Sequence, residues 1–251
     1  MTAVYPNELL IPGLRELWKK SFGDTDEFLD LFFSTAYAPD RCRCIADGDA
    51  VQSVLYWFDC FLEGQKMAYI YAVATDPDFR GRGLCRALME DTMEVLRERG
   101  YSAAALLPQE EWLINMYAGM GFTPCTTVTE KLYTAGEEIP ARRIDAQEYA
   151  HLRRGLLPAG GVIQEGENLA FLAGMAKLYA GEHFLAAVME TEGELWCPEF
   201  LGDPAAFPGL VKTLGFPEGR CRMPGGDRPF AMFRPLSKDA AKPLYFGLVF
   251  D

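Results

Sequence analysis

The 251-residue sequence predicts an α/β (α+β) protein with a mixed, mostly antiparallel central sheet flanked by helices, arranged as two similar halves. Four observations carry this. The run Ala68 to Ala74 (AYIYAVA) has no polar alternation, as expected of a strand buried on both faces. It stops at Thr75-Asp76-Pro77, where proline cannot donate to a ladder, and Arg80-Gly81-Arg82-Gly83 then leads into a run with Leu84, Leu88, Met89, Val95 and Leu96 roughly on one helical face. An alanine-rich apolar segment, Tyr101 to Leu107, follows, so strand, helix and strand imply a parallel pairing with a right-handed crossover. Finally, the second half of the chain repeats a similar order of elements.

Taken in order, Glu8 to Lys20 carries Leu9, Leu10, Leu14, Leu17 and Trp18 at helical spacing and stops at Gly23. Asp24 or Thr25 caps a second helix through about Tyr37, with Phe28, Leu29, Leu31, Phe32 and Phe33 as its apolar side. Arg41 to Ala46 and Val51 to Phe61 read as strands about Asp47-Gly48-Asp49, and Glu63-Gly64 turns the chain into the central strand. The helix that begins at Leu84 runs to Glu98 and ends at Arg99-Gly100, basic residues and a glycine where a helix carboxyl end wants them. Glu110 to Met120 is a short helix leading into Gly121-Phe122.

Residues 1–135 form the first expected domain. Residues 134–145, with Gly136 and Pro140, read as a linker into a second domain, 136–251, which lacks a glycine-arginine loop. Its elements are helices near Ala146 to Leu156 and Asn168 to Tyr179, a hairpin from His183 to Phe200 about Glu192-Gly193, a helix within Pro204 to Leu214, and strands near Phe230 to Arg234 and Leu244 to Phe250.

Composition excludes several classes. The formal net charge is −12, with no basic arm, which disfavours nucleic-acid and anionic-membrane partners and favours a cationic one such as an amine. No run approaches the roughly 20 apolar residues of a membrane span, and the amino terminus does not read as a signal peptide. Seven cysteines without a C-x-x-C pair read as buried or free thiols in a reducing cytoplasm. With only His151 and His183 available, a Ser-His-Asp site or a histidine-rich metal site is not expected, and no metal is assigned. A homo-oligomer is left open.

The chemistry centres on the glycine loop. Glycines at the mouth of a helix let the backbone approach a ligand, and the first helical N–H groups have no internal partner, so the pair suits a phosphate or diphosphate. Arg80, Arg82 and Arg86 add positive charge. There is no lysine or hydroxyl after Gly83 for a phosphate-loop NTPase, and no third glycine for a dinucleotide fingerprint.

Arg80 and Gly83 instead resemble the R-x-x-G-x-[GA] loop of the GNAT acetyltransferases, with Cys85 in place of its last glycine or alanine, and Gly83-Leu84-Cys85-Arg86 resembles the helix start of the enhanced-intracellular-survival branch. Tyr117, in Y-x-x-x-G-F, stands where that family has its usual general-acid tyrosine. The resemblance covers residues 8–133. It implies a GNAT fold, acetyl-CoA as co-substrate, and direct attack by a small-molecule or peptide amine. Main-chain groups of Val73, Ala74 and Thr75 would meet the pantetheine arm and acetyl carbonyl, with Arg80, Gly81, Arg82, Gly83, Leu84, Cys85 and Arg86 around the diphosphate. Tyr117 would protonate the departing thiolate, and the Asp251 main-chain carboxylate would reach the active site, as the terminus does in that branch.

Asp59, Glu63, or water held by Tyr69 and Tyr71, are further base candidates. The resemblance makes the second half a degenerate GNAT-like domain; a lipid-carrier-like α+β domain is its rival. A non-catalytic acyl-CoA-binding sensor, an interaction scaffold, and an aminoacyl-tRNA-dependent transferase, which the acidity opposes, are the alternative functions.

Overall fold

The computed structural model describes residues 2–191 and 193–249. The chain forms two compact units, Met1–Thr123 with Met232–Ala241, and Pro124–Ala231 with Lys242–Asp251. The first unit begins with helices α1 (Ile11–Phe22) and α2 (Asp26–Thr35), followed by strands β1 (Cys42–Asp47), β2 (Ala50–Leu62) and β3 (Gln65–Thr75). Helix α3 (Leu84–Glu98), strand β4 (Ala103–Leu106), helix α4 (Glu111–Ala118) and the short β5 (Thr123–Pro124) complete this pass.

Local chemistry sets these boundaries. Gly23 closes α1 at φ 76°, a conformation without the Cβ penalty only for glycine. The Thr25 hydroxyl accepts from the Phe28 N–H at 3.3 Å and opens α2. Glu63 and Gly64, both at positive φ (50° and 78°), make the tight turn between β2 and β3. One face of the β2–β3 pair is covered by aromatic side chains of α1 and α2: Trp18 lies 4.6 Å from Phe32 and 5.3 Å from Tyr56 between ring centroids. The other face packs on α3, whose Leu88, Met89, Met93 and Leu96 are wholly buried with Ile70, Ala104 and Leu106. Each such side chain contributes roughly 1.5–3 kcal/mol of burial.

The second unit comprises β6 (Thr127–Thr134), β7 (Arg142–Ile144), α5 (Ala146–Leu156), β8 (Ile163–Gln164), α6 (Glu167–Met175), β9 (Lys177–Ala180), β10 (Phe184–Thr191), β11 (Glu194–Gly202), α7 (Phe207–Thr213), β12 (Glu218–Pro224) and β13 (Arg228–Pro229); β14 (Met232–Pro235) then returns to the first unit. The two sheets have the same plan. In the first, β1, β2 and β3 are antiparallel, β3 and β4 parallel, and β4 and β14 antiparallel. In the second, β9, β10 and β11 are antiparallel, β11 and β12 parallel, and β12 and β6 antiparallel. The mixed, mostly antiparallel sheet predicted from sequence is present in each half.

Each unit includes a strand from a distant part of the chain. The strand next to β4 comes from the far end of the chain, and the strand next to β12 comes from residues 127–134. Residues 134–145 are part of the second unit and not a bare linker. Its Ile139 N–H donates to the Thr213 hydroxyl at 3.1 Å, that hydroxyl donates to the Ile139 carbonyl at 2.7 Å, and β7 pairs with β9.

Two further expectations are corrected. The helix expected over 168–179 ends at Met175, because Ala176 is extended and Lys177–Ala180 pair with both β10 and β7. The closing segment expected as a strand is buried, with Tyr245, Phe246, Leu248 and Val249 all 2 % exposed or less, yet among the described residues it makes a single bridge, Gly161 to Tyr245. Backbone bonds tie its start, from the Val162 N–H to the Tyr245 carbonyl and from the Leu244 N–H to the Gly160 carbonyl (both 2.9 Å), and side chains hold the rest. Glu199, wholly buried on β11, accepts two bonds from Arg153 (2.8 and 2.9 Å), one from the Tyr149 hydroxyl (2.9 Å) and one from the Tyr245 hydroxyl (3.0 Å). Gln164 Nε2 donates to the Leu248 carbonyl. Gly247 fits because it lacks a side chain: a Cβ there would lie 1.8 Å from Glu199 Oε1. Gly247→Ala is therefore expected to destabilise the protein by about 1–3 kcal/mol, read as a lower midpoint in chemical denaturation; an unchanged midpoint contradicts this packing.

Candidate active site

The site begins with an irregularity in β3. Val54 pairs with Ala74 and Tyr56 with Tyr71, so the single residue Leu55 faces two residues, Ala72 and Val73. Ala72 takes φ 48°, a left-handed conformation that costs a non-glycine residue roughly 1–2 kcal/mol. This bulge bends the strand where its environment changes: Met67 to Ile70 are buried, whereas Tyr71 to Val73 are only partly so.

The parallel partner ends before it. β3 is joined to β4 only at Met67, Ala68 and Tyr69, opposite Ala103, Ala104 and Ala105. Beyond Tyr69 the β4-facing side of β3 has no ladder partner among the described residues, and buried backbone groups need partners. The unpaired stretch between the two strands, termed the cleft, has Val73, Ala74 and Thr75 on its β3 side.

The cleft ends in the glycine loop. Asp76 accepts from the Asp78 N–H at 2.9 Å, caps a turn of 3₁₀ helix (Pro77–Phe79), and is held by Lys20 at 2.9 Å. Gly81 and Gly83 have φ 74° and 79°, and no atom lies within 4 Å of where a Cβ would sit on either. Gly83 is the N-cap of α3 and offers no side-chain cap, so the first N–H groups of α3 point outward without a local partner. The loop read from sequence as a cradle thus has free space above both glycines.

Arg80, Arg82 and Arg86 are all exposed around it, each also bracing the loop. Arg80 Nε donates to the Thr75 carbonyl (3.1 Å), Arg82 to the Asp78 carbonyl (3.0 Å), and Arg86 to the Gly119 carbonyl (2.7 Å). The Arg86 bond ties the start of α3 to the end of α4. Leu84 is buried in the core, so it can offer a ligand only its main chain. Burial pushes the Cys85 thiol up, against the lowering effect of Arg86, so the neutral thiol is favoured over a nucleophilic thiolate.

Tyr117 sits on α4 and is 6 % exposed, its ring edge-on to Phe122 at 6.0 Å. Its carbonyl accepts from the N–H groups of Met120 and Phe122, which fixes the helix end. Burial is the main cause of a strongly raised phenol, with Cys85 the second, and Tyr117 shares one core cluster with Leu84 and Leu88 of α3. Cleft, cradle and Tyr117 therefore belong to one unit.

Other expectations fare differently. Asp251 lies outside the described residues. Asp59 is held by the Tyr101 hydroxyl and by Lys66 at 2.9 Å, opposite Ala68. Glu63 is in the β2–β3 turn. Both stand toward the hairpin end of β3, several residues, at about 3.3 Å each, from the bulge, so neither is placed to serve the cleft as a base. The Ala72 bulge and Ser53, whose hydroxyl donates to the Ala74 carbonyl at 3.1 Å, were missed in the sequence reading. The second unit carries the same bulge, since Ala187 pairs with Glu199 and Met189 with Trp196. There, however, the parallel pairing runs into the bulge as far as Cys197, opposite Cys221. There the two strands stay paired up to the bulge, and no glycine-arginine loop precedes α7.

Residues 6–125 match the family model of the acetyltransferase (GNAT) domain. Solved structures match nearly the whole chain. A GCN5-related N-acetyltransferase from Kribbella flavida has a TM-score of 0.73 at 17 % identity, covering 96 % of this chain and 73 % of its own. One from Anabaena variabilis gives 0.74 at 13 %, covering 94 % and 73 %. Eis1 from Mycobacterium abscessus gives 0.66 at 12 %, covering 96 % and 75 %. At these identities the likeness establishes the fold, two tandem GNAT-like halves, as expected from sequence. A search of the curated proteins finds no match. No helix among the described residues is long and apolar enough to cross a membrane.

Proposed function

We propose that the protein is an acetyl-CoA-dependent N-acetyltransferase acting on a primary amine of a cationic small molecule or peptide. One observation carries this reading: the cleft beyond Tyr69, floored by the Ala72 bulge, leads into a glycine cradle with empty space above Gly81 and Gly83. The residues fit the group. Main chain of β3 without a ladder partner on its β4 side suits an amide-bearing arm, and the uncapped start of α3 with three arginines suits a diphosphate.

Acetyl-CoA supplies a thioester carbonyl that a free amine attacks, forming a C–N bond as the C–S bond breaks. The bulge directs main-chain groups of Val73 to Thr75 toward that carbonyl and the arm, and Gly81 to Arg86 hold the diphosphate. Tyr117 stays protonated at neutral pH, because burial disfavours its phenolate. The same burial makes full proton transfer to a thiolate, ordinarily near 8.5, unfavourable, so Tyr117 serves as a hydrogen-bond donor to the departing sulfur. The attacking amine releases its proton to solvent. The net charge of −12 favours approach of a cation, and seven unbridged cysteines fit a reducing cytoplasm.

The test is thiol release from acetyl-CoA with a panel of polyamines, aminoglycosides and peptides. Amine-dependent release together with an acetylated product is expected. CoA binding with no release from any amine would leave a binding protein in place of an enzyme. Gly83→Val, which puts a branched side chain at positive φ into the cradle, is expected to weaken CoA at least tenfold in calorimetry while the fold survives; unchanged affinity contradicts the placement of the diphosphate.

A further inference from the structure

Ser53 lies on β2 directly opposite Thr75 and is wholly buried. Its hydroxyl is 3.1 Å from the Ala74 carbonyl and 2.9 Å from Thr75 Oγ1. A carbonyl cannot donate, so the one Ser53 proton goes to Ala74, and the proton in the second contact belongs to Thr75. Thr75 Oγ1 has no other partner among the described residues. Its proton being held by Ser53, it has only lone pairs left to offer. Any new partner must be a donor.

Position narrows which donor. Thr75 is the last residue of β3, between the Ala72 bulge and the glycine cradle, and is partly exposed. Asp76 already turns away, its N–H donating to the Gln52 carbonyl at 2.9 Å. If the reacting thioester lies at the bulge and the diphosphate in the cradle, the span alongside Thr75 is filled by the pantetheine arm, whose amide groups carry N–H donors. We propose that Thr75 Oγ1, oriented by Ser53, accepts an amide N–H of the pantetheine arm, so that Ser53 and Thr75 form a side-chain subsite for the carrier beside its main-chain contacts. This rests on the acyl-CoA reading above.

Calorimetry on the full chain with CoA and with adenosine 3′,5′-bisphosphate, which keeps the nucleotide end but has no arm, separates this role from a purely structural one. Thr75→Val, nearly isosteric, is expected to weaken CoA by about three- to tenfold and leave the bisphosphate unchanged, and Thr75→Ser to restore CoA binding. Ser53→Ala, which frees the Thr75 proton to rotate, is expected to give a smaller loss on CoA alone. Wild-type CoA affinity in Thr75→Val, parallel losses on both ligands, or failure of Thr75→Ser to rescue overturns the proposal. Absence of binding of either ligand to the wild type overturns the acyl-CoA reading itself.

Discussion

Replacing Tyr117 with phenylalanine is expected to lower kcat by about a hundredfold or more while CoA affinity and the unfolding midpoint stay near wild type. The substitution removes one oxygen and leaves the ring against Phe122 and the helix end bonded as before. What is lost is the donor that steadies negative charge on sulfur, an interaction present only as the thioester breaks. The pH profile adds a sign. Because burial raises the phenol above its ordinary value near 10, the neutral donor persists there, and wild-type turnover should not fall as pH rises through 10 on account of Tyr117. Its rising limb should follow deprotonation of the acceptor amine. Steady-state kinetics of both proteins from pH 6 to 10 check this; equal kcat values, or a CoA affinity that falls along with kcat, remove Tyr117 from the reaction.

The largest stability effect is expected at Arg153. Arg153→Met leaves the Glu199 carboxylate wholly buried with two tyrosine hydroxyls but no opposite charge, a loss of about 3–5 kcal/mol. Arg153 also donates to the Val162 carbonyl at 2.9 Å, so the chain leading to Gln164 loses an anchor. Pairing the change with Glu199→Leu removes the stranded charge, and the double variant should be less destabilised than the sum of the two single ones. Urea denaturation of the three variants measures this; strict additivity would show that Arg153 and Glu199 do not act as a pair.

Much of the site was legible because its signals are local. Gly81 and Gly83 do adopt the positive φ that glycine at a helix mouth implies, and α3 spans the predicted Leu84 to Glu98. Thr25 caps α2 as its type and position indicate. The bulge was not legible, because Ala72 carries no glycine signature and its strain is maintained by pairing with β2. The opening between β3 and β4 is likewise a property of register, which one strand's sequence does not encode.

The placement of β6 and β14 depends on pairing across about a hundred residues of chain. Lys177–Ala180, a segment that fits either period, becomes a strand because β7 and β10 flank it. The apolar closing segment looks like a strand by composition, yet Tyr245 and Gly247 fit it around Glu199. Asp59 was a reasonable base by residue type, and only the fold shows it engaged with Lys66 and Tyr101.

Amide hydrogen exchange of the full chain with and without CoA tests the central claim most directly. Slowed exchange is expected at residues 73–75 on β3 and 81–86 at the start of α3, with little change in the second unit. Protection confined to other segments, or none at saturating CoA, would mean that the splayed strand and glycine cradle do not hold an acyl carrier.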